Sequence, residues 1–132
     1  MATITKLEEL EIWQLARRYA KEIGSLLRAN VFMQEFGLKQ QMKNPSGSIM
    51  DNIAEGFGRG SKNKFVNYLM IAKGSTEETR SQLYRCKDQD SITETGFTNL
   101  YTQSEVLIKR ITGLINYLNM SSLKGSKFKN RQ

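Results

Sequence analysis

The sequence predicts an all-α chain, folded as an antiparallel up-down four-helix bundle. Apolar residues recur at helical spacing in four separate segments, proline occurs once in 132 residues, and runs of β-branched residues are rare. The segments are joined by short connections, which make sequential helices antiparallel neighbours.

The first helix is expected from about Glu8 to Arg28. Trp13, Ala16, Ala20, Ile23 and Leu27 line one side, and Ile12, Leu15, Tyr19 and Leu26 widen the stripe enough to predict burial on more than one side. The second spans about Phe36 to Phe57, with Leu38, Met42, Ile49, Ile53 and Phe57 on a shared face. Pro45 lies inside it. A proline lacks the amide donor and crowds the preceding turn, so a kink or a fresh helix start at Asn44-Pro45 stands beside an unbroken helix as an alternative.

The glycines of Gly56-Phe57-Gly58-Arg59-Gly60 end the second helix, because glycine takes the left-handed conformation that closes one. Ser61 is then the expected N-cap of a third helix from about Lys62 to Lys87. Phe65, Tyr68, Leu69, Ala72, Thr76, Thr79, Leu83 and Cys86 form its stripe. That stripe keeps its phase across Gly74-Ser75, so the helix is expected to continue even though Ser75-x-x-Glu78 imitates a capping box. The fourth helix is expected from about Gly96 to Asn119, on Phe97, Leu100, Tyr101, Leu107, Ile108, Ile111, Leu114, Ile115 and Leu118. Residues 1–119 thus read as the bundle and 120–132 as a mobile basic tail.

The length suits one domain with a core large enough to need no staple. A single cysteine, Cys86, rules out an intrachain disulfide, and its place on a core stripe marks it as a small hydrophobe. No segment approaches the roughly 20 apolar residues that span a bilayer, and the first residues lack the apolar run of a signal peptide. A soluble cytoplasmic protein is the expectation. The absence of histidine removes histidine-assisted nucleophiles, histidine zinc sites and the Glu-x-x-His di-iron sites of helical bundles. A non-enzyme without cofactor or small-molecule substrate is therefore expected.

The net charge is +7, of which +4 lies on the tail as Lys124, Lys127, Lys129 and Arg131. Around Phe128, those lysines are suited to phosphates and to a stacked base. Arg17, Arg18 and Lys21 form a second basic patch on the first helix, and Lys39 and Lys43 another on the second. Arg59, Lys62 and Lys64 make a basic corner around the glycine-rich turn. That turn lacks the P-loop spacing and follows no strand, so it reads as a helix–turn–helix corner. Asp51 and Glu55 share a helical face. With no third ligand type nearby, they read as a solvated or ion-paired surface instead of an acid–base or metal site. Val66, Met70 and Tyr84 fall off the core stripe of the third helix and point to a partner surface.

One stretch is diagnostic. Asn52-Ile53-Ala54-Glu55-Gly56-Phe57-Gly58-Arg59 closely resembles the signature of the bacterial four helix bundle protein family, some of whose members are encoded in intervening sequences of large-subunit ribosomal RNA genes. The resemblance covers about residues 7–119. LEIWQLAR at 10–17 is similar to the family's opening helix, Phe36-Gly37-Leu38 to the start of its second, and Phe65, Leu69 and Ile71-Ala72-Lys73-Gly74-Ser75 with Glu77 or Glu78 to its third. Leu114-Ile115 and Leu118 resemble its fourth. The resemblance implies an up-down bundle that assembles into a homopentameric ring. It also implies a nucleic-acid role, because distant relatives are accessory proteins of diversity-generating retroelements that associate with a reverse transcriptase and nucleic acid. The chain departs from the family in its second helix. A basic, alanine-rich run followed by serine–isoleucine–proline is replaced by Lys43-Asn44-Pro45-Ser46-Gly47-Ser48-Ile49-Met50.

The expected function is a homo-oligomeric bundle that binds RNA, or an RNA-containing complex, through its basic surface and tail. A protein-interaction scaffold with no nucleic-acid ligand is the alternative.

Overall fold

Helical spacing of apolar residues produces four helices and, among the described residues, no strand. The computed structural model describes residues 4–29 and 36–124, with side chains described for 4–29 and 41–121. The helices are α1 (Glu11–Ala29), α2 (Phe36–Gly58), α3 (Lys62–Asp88) and α4 (Glu94–Lys124), and a single 3-10 turn, Leu7–Glu9, precedes α1. Polar pairs between helices record the antiparallel order. Arg110 of α4 meets Glu11 of α1 at 2.8 Å, and eleven residues back along α4 Asn99 meets Glu22, eleven residues on along α1. Ser48 of α2 meets Ser75 of α3 at 3.0 Å.

The core follows the stripes. Ile12, Ala16, Tyr19, Ile23 and Leu27 from α1 meet Met42, Ile49 and Ile53 from α2. Leu69, Ala72, Leu83 and Cys86 from α3 join Phe97, Leu100, Leu107, Ile111 and Ile115 from α4. Leu15 and Leu26 widen the α1 stripe as expected, and with Trp13, expected on its main side, they pack half-buried against that core. Polar side chains also reach the interior. Thr76 and Thr79 satisfy themselves by donating to the carbonyls of Ala72 and Ser75, both at 2.8 Å.

Helix α2 runs unbroken through Pro45, so the alternative of a break or fresh start there is corrected. The physical reason lies on α3. Proline at 45 leaves the carbonyl of Gln41 without its intrahelical donor. Gln82, buried in the α2–α3 seam, donates its Nε2 to that carbonyl at 2.8 Å. Arg85 adds a bond from its Nη1 to Gln41 Oε1 at 2.6 Å.

Helix α3 is continuous across Gly74-Ser75, and Ser61 caps it by accepting from the Lys64 amide. Its far end closes at Asp90, which takes a left-handed φ of 57°. The Ser91 amide bonds back to Cys86 and the Asp90 amide to Lys87, the pairing of a Schellman closure. Helix α4 begins two residues earlier than expected, where Thr93 Oγ1 accepts from the Gly96 amide. It also ends later. The helix expected to stop near Asn119 continues to Lys124, so the first residues of the segment read as tail are helical.

Candidate nucleic-acid interface

The diagnostic motif forms the end of α2 and its junction with α3, and the geometry gives nearly every residue of it a packing task. Asn52 donates from Nδ2 to both the carbonyl and the hydroxyl of Ser48 at 2.8 Å, and that hydroxyl is paired with Ser75 across the seam. Ile53 is wholly buried, Ala54 half-buried. A Cβ added to Gly56 would sit 2.7 Å from Tyr68 Cβ and 3.0 Å from Phe65 Cδ1, so only glycine lets the two helices approach this closely. Phe57 meets Phe65 edge-to-face with centroids 6.1 Å apart. Gly58 ends the helix exposed, and Gly60 turns the chain with φ of 71°.

Arg59 completes the clamp. Its Nε bonds Glu55 Oε2 at 2.8 Å, its Nη2 donates to Tyr68 Oη at 3.0 Å, and its guanidinium lies 5.4 Å from the centroid of the Tyr68 ring. The hydrogen bond to Glu55 raises the Arg59 pKa further above its ordinary value. Glu55 is thereby tied to Arg59, and Asp51 is exposed. Among the described residues no cluster of three potential metal ligands exists.

The expected basic groups fall at two levels of the bundle. Lys62 Nζ donates to Ser121 Oγ at 3.0 Å, so the end of α4 lies beside the α2–α3 corner. Lys64 is exposed. Lys124 ends α4, but its side chain lies outside the described residues, as do Lys127, Lys129 and Arg131 altogether. Arg17, Arg18 and Lys21 are exposed on α1, and the Arg17 guanidinium lies 5.7 Å from the Trp13 ring centroid. Eleven residues of α4 separate Arg110, level with the start of α1, from Ser121 at the corner, roughly 16 Å of helix. The α1 patch lies farther along still, so it and the corner form separate contact regions.

Three aromatic rings that the apolar stripes do not group also come together. Tyr84 of α3 packs edge-on to Phe97 and Tyr101 of α4, with centroids 5.0 and 5.9 Å away. The Arg80 guanidinium lies 4.4 Å from the Tyr101 ring centroid and donates to the Tyr101 hydroxyl. Lys87 Nζ lies 4.6 Å from the Phe97 ring centroid. Arg80, Tyr84 and Lys87 are spaced four and three apart, which places them on one face of α3. That spacing was the available signal. Met70 is exposed as expected off the stripe, whereas Val66 is corrected: it packs partly buried against the core and is not part of an exposed partner surface.

Two titratable groups lie deep inside. Burial pushes the Cys86 thiol from 9.0 up to about 11, against the smaller pull of Arg85, and its sulfur contacts Met42 Sδ at 3.3 Å. Burial likewise raises the Tyr19 phenol, opposed by Arg80 and the Ser104 hydroxyl. Neither is placed to act on a ligand. Among the described residues no helix is long and apolar enough to cross a membrane.

Fold and junction together define a small four-helix, all-α protein whose signature residues fasten α2 to α3 and whose cations are displayed on α1 and at one end. The chain belongs to the 23S rRNA-intervening sequence protein family, whose model matches residues 8–113. Among solved structures it is similar to a protein of unknown function from the S23 ribosomal protein family of Bacteroides thetaiotaomicron VPI-5482. The two are 25% identical over 79% of this chain and 97% of the other, with a TM-score of 0.75. No curated protein matches the chain.

Proposed function

We propose that the chain is a non-catalytic, homo-oligomeric helical bundle that binds RNA, or an RNA-containing complex, through phosphate contacts on its basic surface. The observation that carries this reading is the placement of cations in a chain of net charge +7. Arg17, Arg18 and Lys21 project from α1, and the α2–α3 corner, where Lys64 is exposed, adjoins the end of α4. Membership of a family described by ribosomal RNA intervening sequences supports the choice of RNA. Lysine and arginine bind by releasing condensed counterions, so affinity would come without sequence readout. Within the corner, Lys64 is the cation most available to phosphate, because Arg59 already holds Glu55 and Tyr68.

Assembly into a homopentameric ring is part of the proposal. Large apolar side chains are exposed on two different helices, Met70 and Ile71 on α3 and Val106, Tyr117 and Met120 on α4. Two distinct adhesive faces on one chain make a heterologous contact, and such contacts form a ring where the rotation between neighbours closes. The same exposed residues favour the second reading, a protein-interaction scaffold with no nucleic-acid ligand.

One variant separates them. Changing Arg17, Arg18 and Lys21 together to glutamate should weaken RNA binding and flatten its logarithmic salt dependence by about 2, at about 0.7 for each phosphate of a single strand that is no longer neutralised. Sedimentation of the same variant should still give the mass of five chains. Unchanged RNA binding would remove α1 from the interface; a monomer in both proteins would contradict the ring.

A further inference from the structure

We propose that the exposed ring of Tyr84 is a stacking site for an unpaired RNA base, an inference that rests on the RNA-binding reading above and gives it a second kind of contact. Tyr84 is 46% exposed although it packs against two other aromatic rings. It is held there. Phe97 and Tyr101 stack on one another, with centroids 5.7 Å apart, and both meet Tyr84 edge-on. A ring fixed by two others loses little freedom when a base lies against it. The surroundings suit a nucleotide. Arg80 and Lys87 are each held near a neighbouring ring. Glu77 and Glu94 orient Arg80 and Lys87 at 3.2 and 3.4 Å, leaving further donors on both cations for a phosphate. An aromatic face bordered by cations is the arrangement by which proteins hold single strands without reading sequence. A duplex keeps its bases stacked on one another and offers Tyr84 nothing.

The test uses the full-length chain, fluorescein-labelled oligouridine and a labelled RNA duplex of equal length. Tyr84→Ala should weaken oligouridine binding by about 5- to 150-fold, the range for removing one stacked base. Duplex binding and the salt slope of both should be unchanged, since no charge is altered. Tyr84→Phe should bind like the unaltered chain. Tyr84→Leu, which keeps apolar bulk if alanine loosens the fold, should bind as weakly as the alanine variant. If Tyr84→Ala and Tyr84→Leu bind oligouridine as well as the unaltered chain does, the stacking site is overturned while the RNA reading stands. If the unaltered chain binds neither RNA, both fall. If Tyr84→Ala instead changes the sedimenting mass of the free protein, the ring belongs to a contact between protein chains and the proposal is wrong.

Discussion

At the scale of single residues, the signature motif is explained by packing. Gly56 is there because any side chain would overlap Tyr68 and Phe65, and Asn52 because the Ser48–Ser75 pair needs a third member. Gly56→Ala should therefore destabilise the protein by about 1–3 kcal/mol, the usual cost of overpacking a close contact. Urea unfolding followed by circular dichroism reads this as a lower midpoint at unchanged slope, and an unchanged midpoint would mean that α2 and α3 part at no cost. The motif itself was plain in the sequence; its task was not. Eight consecutive residues show a cap-and-turn composition, but only the neighbouring helix reveals that Gly56 faces two aromatic rings and that Arg59 reaches Tyr68 nine positions away. Asp90 was missed for a related reason. Its left-handed backbone closes α3, a place that usually announces itself by glycine or asparagine.

At the scale of elements, apolar spacing located all four helices, because each buries one broad stripe in the common core. It could not settle Pro45. A proline in a helix interior costs about 3 kcal/mol and frees one carbonyl, and whether a helix survives depends on what the next helix offers. Here Gln82, a polar residue between Thr79 and Leu83 on the buried face of α3, supplies the missing donor. The two residues should consequently be coupled. Gln82→Ala should cost about 0.5–1.5 kcal/mol in the natural chain, where the Gln41 carbonyl loses its donor. It should cost less in a Pro45→Ala background, where the new amide can donate to Gln41. A double-mutant cycle in urea should yield a coupling on the order of 1 kcal/mol; equal costs in both backgrounds would show that Gln82 does not sustain α2. The late end of α4 was hidden differently. Beyond Leu118 no apolar period continues, yet the helix passes residue 119 with Lys62 bonded to Ser121.

At the scale of the whole molecule, charge is distributed rather than gathered. The bundle shows cations on α1, more at the α2–α3 corner, and an aromatic patch bordered by Arg80 and Lys87 on α3 and α4. Composition disclosed the charge and its concentration toward the C-terminus. It could not disclose that the corner and the end of α4 adjoin, since the two are far apart in sequence, or that Arg59 is engaged within the corner. Everything proposed for function depends on this surface binding RNA by phosphate contact. Fluorescence anisotropy of a labelled RNA with the intact chain, taken across a salt series, decides that point. Binding should fall log-linearly as salt rises, and the slope should count the phosphates engaged. No binding at roughly 50 mM salt, where phosphate contacts are strongest, would contradict RNA binding and leave a bundle whose partners are proteins.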